Sequence, residues 1–400
     1  MSETTCTSPL QSDPASKSPR SGRRGDSLGL VAALLVGFAI FAVMPVSRMM
    51  SAKNDFVHWY VGGLLFGTPD LHIQEANQQK QRELIGDVLS DSYFIRPTFY
   101  ALLLKPLTFF SYKTAYLVFQ AFSLLCLAVF LRIYSRKWPE LLTHAAMSIP
   151  VICNLVNGQD VTLLLLFCTV SLVLASRGKD FASGLVFSLC AIKFHLFILT
   201  PVAMVAKRRW GIFFGALAGE IVLFLLGLTG GGWKVFLSLV ALLNKPENHP
   251  YPEVMPNLRG LVYSVAGGSV PLLIFLCIIV LLLTLYLIIK APTYEKGFAF
   301  ALIGGLLLNF HAYIQDPMLL LLTSALLLDG TESKVFRLLT QFILLPVPYL
   351  LLLYGPPYSG MFALLLIASL IIAIRDRRNA SLPAQPAATY TPAIGAHQNI

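Results

Sequence analysis

The chain has 400 residues, 56% of them hydrophobic and only 12% charged, with a formal net charge of +10. Ordinary soluble domains carry about 25% charged residues. This composition, with a mean hydropathy of +0.71, excludes a disordered chain, a disulfide scaffold and the usual soluble enzyme. Long apolar runs such as LLIFLCIIVLLLTLYLII at 272–289 exclude a β-barrel, whose strands alternate in short segments. The chain reads as an all-α polytopic membrane protein, with about ten to twelve passes at roughly 20 residues each. Its positive charge fits the cytoplasmic excess of Lys and Arg better than a nucleic-acid partner.

Residues 1–26, rich in Ser, Pro and charge, read as a disordered cytoplasmic tail. Arg20, Arg23 and Arg24 precede an apolar run at 28–46, which lacks a good cleavage site and reads as an uncleaved first helix. Segment 47–113 is then outside. It holds an amphipathic helix at 74–89 and an interfacial stretch at 94–110 punctuated by Pro97 and Pro106. A helix at 114–133 returns to Arg132, Arg136 and Lys137; helices at 141–156 and 161–175 go out and come back to Arg177 and Lys179. One crossing over 181–206 would put a basic cluster outside. A hairpin of two short helices, 182–192 and 196–206, turning at Ile192–His195, keeps both clusters inside.

The helix at 211–228 leaves from Lys207–Arg209, and 230–268 forms a second outer loop with an interfacial helix and a loop histidine, His249. Segments 270–289, 297–312, 317–328, 335–353 and 360–374 complete one transmembrane domain over 27–375. A second tail, 376–400, and both termini are placed in the cytoplasm of a bacterial-type inner membrane. The cysteines form no CxxC pair and read as small packing residues.

The polar residues near the membrane cluster in four places: Lys53, Asp55, His58 and Tyr60; Asn154, Asn157, Gln159 and Asp160; Lys193 and His195; Asn309, His311, Tyr313, Gln315 and Asp316. The topology puts all four on the outer face. Asp160 and Asp316 each precede a helix, so capping is their simplest role. Lys193 is flanked by apolar residues too deep to snorkel, and intramembrane ionisable groups are functional candidates. No Walker loop, GxSxG, HExxH or DxD motif is present. A transporter or flippase of a lipid-linked or anionic substrate, or a non-catalytic assembly subunit, remains an alternative to an enzyme.

NDFVHWYVGGLLFG, FIRPTFYALLLKPLTFF, NLVNGQDVTLLLLF, AIKFHLFILTPVAMVAKRRW, PNLRGLVY and NFHAYIQDPMLLLL occur in that order over roughly 50–325. The ordered set resembles glycosyltransferase family 87, a group of membrane GT-C enzymes. The resemblance implies a GT-C-like fold and transfer of a mannose-like hexose from a polyprenyl-phosphate donor to a lipid or glycan acceptor on the extracytoplasmic face, with inversion. It implies Asp55 as the catalytic base. A leaving phosphate needs cationic or hydrogen-bond-donating neighbours, and Lys193, His195, Arg96 and Arg259 are the candidates. His58, Asn157, Gln159, His311 and Asp316 support them. No metal or other cofactor is expected. Arg96 and His195 depart from the family pattern, which favours an apolar or aromatic residue and a proline there.

Overall fold

The computed structural model describes residues 22–89, 93–243 and 251–381. His249, the tail before Gly22 and the tail after Ser381 lie outside the described residues. Among the described residues every regular element is helical. The chain opens with α1 (Gly22–Val43), α2 (Val46–Met50), α3 (Phe56–Leu65), α4 (Gln74–Ile85) and α5 (Thr98–Leu104). There follow α6 (Tyr112–Tyr134), α7 (Glu140–Ala146), α8 (Ile149–Val156), α9 (Val161–Ser176) and α10 (Asp180–Ser188), which tightens to a 3-10 helix over Leu189–Phe197. Then come α11 (Thr200–Ala206), α12 (Trp210–Leu228), α13 (Gly232–Leu243), α14 (Leu258–Ala266), α15 (Val270–Lys290) and α16 (Tyr294–Leu308). The last are α17 (Leu320–Leu328), α18 (Lys334–Ile343), α19 (Pro346–Tyr354) and α20 (Gly360–Ser381).

The segment Asp180–Phe197 and helices α6, α12 and α15 are long and apolar enough to cross a bilayer. The bent pairs α8/α9 and α18/α19 raise the number to six if each is one span, and shorter apolar helices surround them. The protein is therefore a multi-pass, all-helical membrane protein built partly from short segments. Two expected single helices are broken. Residues 141–156 divide into α7 and α8, where Pro150 stands in the first turn and Ser148 accepts the Val151 amide. Residues 335–353 divide into α18 and α19, bent by 52° at Pro346. Proline has no N–H to continue a preceding helix, so both breaks follow from its position. The loop expected over 230–268 carries two helices, α13 and α14. Helix α1 begins at Gly22 and α20 runs to Ser381, each a few residues into a segment read as tail.

The stretch from Asp180 to Arg209 doubles back. Helices α10 and α12 lie side by side in the same direction, with Gly184 and Gly215 so close to the opposite backbone that a Cβ at either would collide with a carbonyl. Gly219 meets Ser188 further along the same seam. Asp180 at the start of α10 pairs with Arg209 at the start of α12, at 2.5 Å. The chain must therefore climb from Asp180 and return before Arg209, as the hairpin reading requires. The break falls at Lys193, whose φ of −129° and ψ of 56° leave the helical region.

These contacts define two ends of the bundle. At one, Lys207 donates to the carbonyls of Ile289 and Ala291, Arg377 to that of Lys290, and Arg209 to that of Ala175. Helix α9 has 16 residues and ends there, about 24 Å from its start at 1.5 Å per residue. Its other end, the tip of the hairpin and the turn after α16 meet at the polar end.

Candidate active site

Asp55 stands at the start of α3 but does not cap it. Phe56, fully buried, anchors that helix among the rings of Tyr60, Tyr112, Tyr116 and Phe119. The turn between α8 and α9, Asn157–Asp160, lies against this helix start. The pair bends by 120° there. The Asp55 amide donates to Asn157 O at 3.1 Å, Trp59 Nε1 to Gly158 O at 2.9 Å and Asn54 Nδ2 to Val156 O at 2.8 Å. Gln159 Nε2 donates to Asp55 Oδ2 at 2.5 Å.

Gly158 is required in this turn. Its φ is +62°, and a Cβ there would lie 2.9 Å from Asn54 Oδ1 and 3.0 Å from Phe56 Cβ. Gly158→Ala adds left-handed strain and pushes on the residues flanking Asp55. We expect a loss of about 1–3 kcal/mol, measured as a lower melting temperature in detergent, with a matching fall in activity.

Asp160, two residues after Gly158, is fully buried. Its carboxylate does not cap α9; the amide of Val161 is taken by Asn154 Oδ1 at 3.0 Å instead. This corrects the capping expectation. Asp160 Oδ2 accepts from Arg96 Nε at 3.0 Å, and Oδ1 lies 3.3 Å from Lys193 Nζ. Lys193 also donates to Asp316 Oδ1 at 2.8 Å. Asp316 starts a 3-10 turn without capping it; its Oδ2 accepts the Tyr313 amide at 2.8 Å. Two cations and two carboxylates thus form one neutral, buried chain from residues as far apart as Arg96 and Asp316. Neutrality is what allows them to be buried, because an uncompensated charge out of water is strongly unfavourable. The Arg96 guanidinium also lies 4.6 Å over the Trp59 ring, a cation–π contact that ties the network to α3.

His58, one turn along α3, receives Gln81 Nε2 at 3.2 Å from Nδ1. Its burial holds the imidazole below its ordinary pKa, only partly opposed by Asp55. On the other side of Lys193, the rings of His195 and His311 are 6.0 Å apart, and His311 stands edge-on to Tyr313 at 4.7 Å. Asn257 caps α14 through the Gly260 amide and donates to Asn309 O at 2.7 Å. It thereby brings in Arg259, which donates to Phe310 O at 3.3 Å and lies 4.3 Å over the Phe310 ring. The four sequence clusters therefore converge. Arg96, Lys193, Asp160 and Asp316 lie in the buried core of the site. Asp55, Gln159 and Asn157 sit on one side, with His195, His311 and Arg259 on the other.

A family model for glycosyltransferase family 87 matches residues 94–314, more than half of the chain. The chain belongs to glycosyltransferase family 87. No curated protein matches it. The family match makes this protein a membrane glycosyltransferase, with a sugar donor and an acceptor as substrates. It spans Arg96, Asn157–Asp160, Lys193, His195, Arg259 and His311, whereas Asp55 and Asp316 lie outside the matched residues. Among the described residues no three His, Cys, Asp or Glu side chains converge so as to hold a metal ion.

One residue escaped the sequence reading. Glu220 is the sole ionisable side chain in α12, at the junction of two apolar cavities of about 330 Å³ and about 270 Å³. Both also touch Ala191 and Phe194. A charged letter inside GALAGEIVLF was the available signal.

Proposed function

We propose that this family 87 glycosyltransferase moves a mannose-like hexose from a polyprenyl-phosphate donor to a lipid or glycan acceptor, with Asp55 as general base. The polar end of the bundle is then the extracytoplasmic side. The basic end, with Lys207, Lys290 and Arg377, is the cytoplasmic side, as the distribution of Lys and Arg suggests. The observation that carries this reading is the placement of Asp55. Its half-buried carboxylate is fixed by one hydrogen bond at Oδ2, beside a cluster of cationic and hydrogen-bonding groups.

In the reaction Asp55 takes the proton of the acceptor hydroxyl as its oxygen attacks the anomeric carbon from the face opposite the phosphate. The bond from that carbon to the phosphate oxygen breaks, and polyprenyl phosphate leaves with the electron pair. Developing charge on the leaving phosphate needs donors aimed at it. Arg96 and Lys193 already serve two carboxylates, so His195, His311 and Arg259 are the better placed partners for the phosphate. The two apolar cavities run along α12 from Phe213 to Leu228 and reach Pro97–Phe99, next to Arg96. They offer the hydrocarbon tail a path ending at the polar site.

The test is transfer by purified protein in lipid nanodiscs, given radiolabelled mannosyl polyprenyl phosphate or a nucleotide-activated mannose with the same acceptor mixture. Label should enter product from the lipid donor only. Ala191→Trp, which fills the junction of the cavities, should raise KM for a long-chain donor about tenfold or more and spare a short-chain one. That factor corresponds to about 1.4 kcal/mol of lost binding. Transfer from the nucleotide sugar alone would overturn the donor assignment.

A further inference from the structure

We infer that Gln159 is a positioning residue for Asp55: it fixes the carboxylate so that Oδ1 faces the acceptor hydroxyl. The inference rests on the reading of Asp55 as base. Gln159 is 6% exposed and follows the left-handed Gly158, in a turn fastened to the start of α3. Its amide nitrogen donates to Asp55 Oδ2, which settles the orientation of the amide because a carboxylate only accepts. The Gln159 carbonyl oxygen is then left buried with no hydrogen-bond partner among the described residues.

A side chain present only to fill this turn would not be an amide. Burying an unpaired carbonyl is unfavourable, and an apolar residue of the same length would avoid it. The contact that offsets this is the one to Asp55. That carboxylate needs the help. It makes no capping bond to its own helix, and Oδ1 has no protein donor among the described residues. With Oδ2 held, rotation of the carboxylate is stopped and one oxygen is left to take a proton. Gln159 is also joined through the chain to Asp160, the centre of the buried charge network. The base is thereby referenced to the same rigid group that underlies the His195, His311 and Arg259 corner. Of the ionisable groups nearby, His58 on the same helix interacts with Asp55, the Arg96–Asp160 pair lies beyond Gln159, Lys53 is two residues before it in the chain, and the phenols of Tyr112 and Tyr116 from α6 reach the neighbouring Ala52 carbonyl and Asn54 amide.

Two variants separate positioning from packing. Gln159→Met keeps the length of the side chain, removes the donor and removes the orphaned carbonyl. If Gln159 only packs, this variant melts no lower than the parent and keeps its kcat. If Gln159 positions Asp55, kcat falls about 100-fold, the scale of a misplaced reacting group, with KM for both substrates little changed and melting unaffected. Gln159→Glu places a second carboxyl against Asp55. The pair then shares a proton, so the acidic limb of the pH–rate profile should move up by about one unit or more.

A Gln159→Met protein with parental kcat, or a Gln159→Glu profile with an unmoved limb, overturns the inference. Asp55→Asn in the same assay tells the two failures apart. If Asp55→Asn is inactive while the Gln159 variants are normal, only the positioning role is lost. If Asp55→Asn is active, the base assignment falls and the inference with it.

Discussion

Asp55→Asn is expected to lower turnover by about 10²- to 10⁴-fold, the usual contribution of a positioned general base, with unchanged expression and melting. The change is isosteric, and the Gln159 contact survives through the asparagine carbonyl. The helix start is held independently by Asn54, Trp59 and Phe56. The phosphate partners are untouched, so KM for the donor should move little. The measurement is initial-rate transfer in nanodiscs with the lipid donor. Retained turnover in a well-folded variant removes Asp55 from the chemistry.

Lys193→Met should act on folding first. Lys193 is 3% exposed and its ammonium lies within 3.3 Å of Asp160 and 2.8 Å of Asp316. Its removal leaves two buried carboxylates with Arg96 alone, and breaking such a group typically costs about 3–5 kcal/mol. A large drop in melting temperature and in yield is expected. Adding Asp316→Asn should recover much of the loss, because the set is neutral again and the asparagine oxygen still accepts the Tyr313 amide. That recovery is the interaction read by a double-mutant cycle. If Lys193→Met folds normally and raises only the donor KM, Lys193 contacts the phosphate instead of holding the site together.

The sequence displays the membrane character, the kink at Lys193 and the four polar clusters, because a polar residue in an apolar segment is visible without any partner. It hides what those residues do to each other. Asp160 and Asp316 look like helix caps, since each precedes a helix and the sequence offers no other neighbour. Their actual partners are Arg96, 64 residues before Asp160, and Lys193, 123 residues before Asp316. Pairing of that range depends on how the hairpin tip, the turn between α8 and α9 and the turn after α16 are folded together. Pro150 and Pro346 did mark helix breaks, yet the apolar runs around them read as continuous spans. Glu220, a single carboxyl inside an apolar run, is passed over by the sequence reading. Its position at the meeting of two cavities needed Ala191 and Pro97–Phe99 brought beside α12.

The glycine seam between α10 and α12 has a mechanical consequence. Gly184 and Gly215 let the two backbones touch, Gly219 leaves room for the small Ser188 side chain, and the Asp180–Arg209 pair locks their starts together. Backbones packed this closely have little compliance. The side of the groove formed by these helices should therefore stay fixed while a lipid enters or leaves. Any widening falls on the opposite side, made by α5 and by Phe236, Leu239 and Val240 of α13. Lateral entry is then one-sided, and the stiff side carries Lys193 at its tip, so lipid can pass without loosening the charges that hold the site.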